Sequence, residues 1–202
     1  MTRLRFTAVL LSLPASVAPA FAQHADAPDV RAGDEWHFVA YQTVRPSEGN
    51  RTWTVVSVTQ GSIVATENGQ PLELTRELNV VDSPRGRYSD ARALAFPLAV
   101  GKTWSYRNEW LFKPKTSRGH ALVRVTVEAH EKIDVEAGVF DAFRLVARGT
   151  LHGTSPVGSR YDAGTTSTYW YAPAARAIVK SIDHNPYLGT TTVELVASRR
   201  RP

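Results

Sequence analysis

Ala121-Leu122-Val123-Arg124-Val125-Thr126-Val127-Glu128-Ala129-His130-Glu131-Lys132 decides the fold class. Val123, Val125, Val127 and Ala129 fall on one face, and Arg124, Thr126, Glu128 and His130 on the other. Apolar and polar residues alternating with period two describe a strand with one buried face and one wet face. The same alternation recurs downstream. Phe143, Leu145 and Ala147 alternate with Arg144 and Arg148, while Thr191, Val193, Leu195 and Ala197 alternate with Thr192, Glu194 and Ser198. Upstream, Trp53-Thr54-Val55-Val56-Ser57-Val58 is rich in β-branched residues.

Turn signals punctuate these runs. Gln60-Gly61, Asn68-Gly69 and Ala137-Gly138 stand between strand-like segments at hairpin spacing. Asn68-Gly69 is the strongest, because both residues accept the positive φ of a type I′ turn. The pattern predicts ten strands, at 34–44, 51–59, 62–67, 71–79, 103–113, 121–133, 141–151, 165–172, 176–183 and 190–198. Ser89 to Ala95 is the one candidate for a short helix. The expected fold is mainly β: a single antiparallel meander sheet curled into an open or closed barrel. Gly33-x-x-Trp36-x-Phe38 is echoed by Gly101-x-x-Trp104-x-Tyr106, and each is followed about 36 residues later by a turn glycine, Gly69 or Gly138. Such an echo implies two related half-sheets around one core.

The N-terminus reads as an address. Arg3 and Arg5 precede a short apolar run broken by Pro14, and Ala20-Phe21-Ala22 has the small-x-small form of a cleavage site. This is the layout of a secretory signal peptide over residues 1–22, cleaved after Ala22. Its apolar run is too short to span a bilayer, and no later stretch reaches that length. The expected location is therefore periplasmic or secreted. Residues 23–32 read as a flexible leader, 33–198 as a single β-rich domain and 199–202 as a basic tail. Arg3, Arg5 and Arg199-Arg200-Arg201 account for the net charge of +5, so the body is near neutral and offers no nucleic-acid surface. There is no cysteine, which excludes disulfides, thiolate catalysis and cysteine-held metals.

Signs of catalysis are sparse. The six histidines show no HxH or HExxH spacing, and the chain has neither a G-x-S-x-G elbow nor a phosphate-cradling glycine loop. No cofactor is implied, and the balance is against an enzyme. A hydrolase of envelope polymers would have to draw its acid and base from Asp162, Asp183 or His184. Aromatic residues stand out instead. Trp36, Trp104, Tyr106, Phe143, Tyr169 and Tyr171 sit at strand positions where rings either fill a barrel or line a ligand cavity in it. Trp170 must face away from Tyr169 and Tyr171, so one of the two faces needs cover. Arg144 and Arg148 share a strand face that suits an anionic head group.

Three stretches carry a resemblance: Pro97-Leu98-Ala99-Val100-Gly101-Lys102-Thr103-Trp104, Val135-Glu136-Ala137-Gly138-Val139-Phe140-Asp141-Ala142-Phe143-Arg144, and Tyr169-Trp170-Tyr171-Ala172-Pro173 leading to Val179-Lys180. In this order they resemble uncharacterised secreted bacterial proteins of the half-barrel superfamily of lipoprotein carriers (LolA/LolB-like). The resemblance covers about residues 95–183. It implies an incomplete antiparallel barrel around a helix or lid, with an apolar concave face. The expected function is binding of an apolar or amphipathic ligand, such as a lipid, in that half-barrel. The alternative is a non-catalytic envelope module with a filled barrel, contacting an envelope protein through an edge strand or its basic tail.

Overall fold

The valines of the 121–132 stretch lie in the longest strand of a closed circuit. The structure, a computed structural model, describes residues 24–43, 47–113, 117–186 and 189–201, without the side chains of 47 and 48. The signal peptide, its cleavage site and Pro202 lie outside the described residues. The strands are β1 (His24–Ala25), β2 (Glu35–Gln42), β3 (Ser47–Val58), β4 (Ser62–Glu67), β5 (Gln70–Thr75), β6 (Val80–Asp82), β7 (Gly86–Ser89), β8 (Leu98–Ala99), β9 (Thr103–Phe112), β10 (Ser117–Val135), β11 (Gly138–Thr154), β12 (Arg160–Ala172), β13 (Ala177–Asn185) and β14 (Gly189–Arg199). All ten expected strands are present; β1, β6, β7 and β8 are short additions.

The circuit runs β2-β3-β4-β5-β6-β7-β9-β10-β11-β12-β13-β14 and closes by antiparallel pairing of β14 with β2. Every neighbour is next in sequence except across β8, so the topology is the expected meander. It is closed, where the resemblance to the carriers implied an incomplete barrel. Closure removes the sheet edges that a half-barrel would leave unpaired.

No helix forms at 89–95. The alanine-rich stretch favours one, but its backbone groups are taken by side chains from elsewhere. Asn79 Oδ1 accepts from Leu94 N and Asn79 Nδ2 donates to Leu94 O, both at 2.9 Å. Trp104 Nε1 donates to Arg92 O, and Glu77 Oε1 accepts from Phe96 N. Asp90 adopts a φ of 56°, outside the helical region. The segment instead inserts fully buried Leu94 into the barrel. The 24–32 stretch, expected as a flexible leader, is docked: β1 pairs with β8, and Ala25 and Val30 are buried. The basic tail is also folded back. Arg201 N donates to Asp34 Oδ1 at 2.7 Å, and Arg199 pairs with Glu35 at 3.2 Å.

The interior holds two apolar cores. One gathers Trp36, Phe38, Val55, Ile63, Leu72, Leu74, Val179 and Leu195, mostly from β2–β5 and β13–β14. The other gathers Val125, Val127, Phe143, Leu145 and Tyr171 from β10–β12, capped by Leu94 and Leu98.

The glycine-tryptophan echo is structural at its start. Gly33 (φ 87°) donates to Val55 O at 2.8 Å, and Val55 N donates back to Asp34 O at 2.9 Å. Gly101 (φ 89°) donates to Val127 O at 2.8 Å, and Val127 N donates back to Lys102 O at 2.9 Å. A register shift follows Val55 in β3 and Val127 in β10. The two hairpins therefore match step by step. Trp36 opposite Trp53 corresponds to Trp104 opposite Val125, and Phe38 opposite Arg51 corresponds to Tyr106 opposite Val123. The trailing glycines do not correspond, since Gly69 turns β4 into β5 whereas Gly138 turns β10 into β11.

Candidate functional site

A cavity of about 410 Å³ lies inside the barrel. Trp36, Phe38, Trp53 and Val193 of the first core wall it on one side, and Tyr106, Tyr169 and Ile178 of the second on the other. Its volume falls in the range of small-molecule sites, about 300–1,000 Å³. Strand parity puts these rings inward: Tyr106 is in phase with Trp104 and Trp110, and Trp53 with buried Val55.

The walls are graded in polarity. β2, β9 and β13 run toward the same barrel end, and β3 runs away from it. On β3, β9 and β13 a polar cavity residue stands nearest that end. Arg51 stands one inward step beyond Trp53, Asn108 one beyond Tyr106, and Asp183 one beyond Ser181. Arg85 and Ser83, in the β6–β7 turn, join them. Trp36, Trp53, Leu78 and Ala177 line the apolar part.

Most of the polar groups have partners. Arg85 forms a two-pronged ion pair with buried Glu67, whose Oε2 also accepts from Trp53 Nε1 at 3.1 Å. Asp183 accepts from Ser181 at 3.4 Å and from the Tyr169 hydroxyl at 3.5 Å. Burial raises its pKa, partly offset by these hydroxyls and the Arg51 charge. Burial likewise pushes Tyr106 up to about 12, so its hydroxyl is neutral at physiological pH. Arg51 differs: its guanidinium makes no hydrogen bond or ion pair among the described residues, and burial, then the Arg85 charge, pulls its pKa down. Asn108 Oδ1 is buried with no hydrogen-bond partner.

Of the six expected ligand-lining residues, Trp36, Tyr106 and Tyr169 border the cavity together. Phe143 and Tyr171 are fully buried in the second core, and half-buried Trp104 packs against it. Trp170 faces the other way, donating to Glu131 at 2.9 Å, and Glu131 pairs with Arg144. The expected cover of that face is thus a charged pair of the barrel itself. Arg144 pairs with Glu128 and Glu131 and Arg148 with Glu128, so both guanidinia already have carboxylate partners.

The three residues named for hydrolysis do not meet. Asp183 points into the cavity, His184 bonds Thr190 on the opposite face, and Asp162 bonds His152 at 2.6 Å. Among the described residues no three histidine or carboxylate side chains converge on one point where they could hold a metal. Arg51 and Asn108 were not singled out from the sequence, although a signal for them exists. Arg51 has the parity of Trp53 and Val55, and Asn108 that of Tyr106 and Trp110.

No family model matches this sequence, and no curated protein matches it. Solved structures that share its architecture include two at 13% identity. One is a protein from Bacteroides fragilis, predicted to be exported, with a YmcC-like fold; it is 13% identical with a TM-score of 0.56, over 87% of this chain and 100% of that one. The other is a protein from Parabacteroides distasonis, predicted to be a lipoprotein; it is 13% identical with a TM-score of 0.53, over 88% of this chain and 100% of that one. At this identity the likeness is one of fold alone, shared with a barrel described as YmcC-like.

Proposed function

We propose that the chain is an exported barrel that binds a small amphipathic molecule inside its cavity. The observation that carries this reading is the 410 Å³ space between two otherwise tightly packed cores, walled by Trp36, Phe38, Trp53, Tyr106 and Tyr169. Well-packed interiors leave few voids larger than a water molecule. An acyl chain entering this one would gain about 0.8 kcal/mol per buried CH₂. The signal-peptide pattern supports export, as do the descriptions of the two similar barrels as exported and as a lipoprotein. The resemblance to lipoprotein carriers points the same way, toward acyl chains. With the circuit closed, entry would be through a barrel end, not an open side. β10 presents Arg118 and Arg124 outward with Arg107 and Arg148 beside them, a charged stretch that favours an aqueous setting for this part of the outer face.

The test uses the two cavity tryptophans. Native mass spectrometry of the purified protein should show a bound amphiphile. After its removal, titration with ten-carbon amphiphiles should change tryptophan fluorescence and raise Tm. A ligand-free spectrum together with an unchanged Tm and fluorescence would overturn the reading.

A further inference from the structure

We propose, resting on the cavity reading above, that the ligand carries an anionic head group, bound by Arg51 at the polar end of the cavity with its tail toward Trp36. The internal repeat isolates the relevant residues. Where the second hairpin has Val123 opposite Tyr106, the first has Arg51 opposite Phe38. Where the first has Ala40, two residues beyond Phe38, the second has Asn108, two beyond Tyr106. Among the cavity-lining residues of the first hairpin Arg51 alone is charged, and among those of the second Asn108 alone is an amide.

Neither side chain is satisfied from within. Arg51 has no acceptor among the described residues, and Asn108 Oδ1 has no donor. Asn108 Oδ1 is buried without a partner, which is costly, and Arg51 is a half-buried charge with no acceptor beside it. Both costs are removed by a ligand bearing anionic oxygens for the guanidinium and a hydroxyl or amide hydrogen for Asn108. Arg85, the other cation lining the cavity, holds Glu67, and Arg144 and Arg148 hold Glu128 on the outer face. Asp183 stands at the same end but is capped by the Tyr169 and Ser181 hydroxyls. A carboxylate and a phosphate monoester share the required chemistry, since a guanidinium fork grips either.

The experiment titrates decanoate, decyl phosphate and decanol into the wild type, R51Q, and R124Q as a control that removes one exposed outer-face charge. At least one anion should bind ten-fold or more tighter than decanol, and the tighter of the two identifies the head group. R51Q should abolish that gap by weakening the anion while leaving decanol unchanged, and R124Q should preserve it. Decanol binding as tightly as both anions, or a gap that survives in R51Q, overturns the head-group assignment and leaves the cavity reading intact. Binding of none of the three overturns both. If R51Q does not fold, N108D carries the test. Its added carboxylate should weaken the anion and spare decanol, and unchanged anion affinity would overturn the proposal.

Discussion

The β2–β3 and β9–β10 hairpins begin with the same hydrogen-bond pattern and then diverge in what they anchor. Both turn in through a glycine near φ +88°, both place a tryptophan three residues later, and both give its indole N–H a loop carbonyl. In the first hairpin Trp36 is 1% exposed and bonds Ala175 O at 2.9 Å, in the β12–β13 connection. In the second, Trp104 is half-buried and bonds Arg92 O at 2.7 Å, in the segment between β7 and β8. The residue after each glycine diverges more. Asp34 is fully buried and accepts from Arg31 N, Arg201 N and Arg176. Lys102 donates to Ala95 O and Pro97 O at the surface. One copy ties the chain termini to the barrel wall, while the other pins a loop over the interior.

The largest expected effect separates the two tryptophans. Trp36→Ala removes a fully buried ring at the junction of the first core and the cavity, and should cost about 3–5 kcal/mol in urea unfolding. Trp104→Ala should cost about half of that, because part of its ring is already in water. Equal losses would break the distinction drawn here. Next come the neighbours of the glycines. Asp34→Ala strands two backbone N–H groups and the Arg176 guanidinium, for an expected loss of about 3 kcal/mol. Lys102→Met removes donors that water can replace, for about 1 kcal/mol or less. Limited proteolysis should separate the pair further: the first variant frees the C-terminal arginines for cleavage, and the second exposes the 90–97 segment.

The ten long strands were legible because alternation needs no tertiary knowledge. Val123, Val125 and Val127 can be sorted by face before any partner is known. The strands β6 and β7 were not legible. They hold three and four residues and pair with each other only at Asp82 and Arg87, too short for periodicity to register. The 89–95 stretch misled because Ala91, Ala93 and Ala95 have high helix propensity, while the Asn79, Glu77 and Trp104 side chains that claim its backbone are remote in sequence. For the cavity, the aromatic wall could be read from strand parity. Its polar end was hidden by hairpin length. From Gly33 to Val55 is 22 residues, but from Gly101 to Val127 is 26, so no direct alignment sets Arg51 beside Val123.

A smaller effect probes the glycines. Gly101→Ala places a Cβ in open space at φ 89°, so its cost is the left-handed backbone alone, about 1 kcal/mol. Gly33→Ala adds a collision, since its Cβ would lie 2.8 Å from Arg201 Nε. It should cost more than Gly101→Ala by the value of the displaced tail. Truncation after Arg199 should remove that excess and bring the two substitutions level by urea titration.

The smallest effect sharpens the contrast between inward and outward charges. Asp183 faces the cavity and burial raises its pKa, whereas Glu35, on the outer face of β2, has its pKa lowered first by the hydrogen bond from His37. The two act on stability with opposite sign. For Asp183 the folded value lies above the unfolded one, so its ionisation opposes folding: stability is full below the unfolded pKa and falls as pH rises through the folded pKa. For Glu35 the folded value lies below, so its contribution is present above the unfolded pKa and lost as pH falls through the folded one. Asp183→Asn should therefore raise Tm relative to wild type at pH 7, with the gain shrinking toward pH 4. Glu35→Gln should lower Tm at pH 7, with the loss shrinking toward the same pH. An Asp183→Asn gain that persists at pH 4 would mean that the cavity responds to the shape of the side chain and not to its charge. In that case the unpaired charge at the polar end would be that of Arg51.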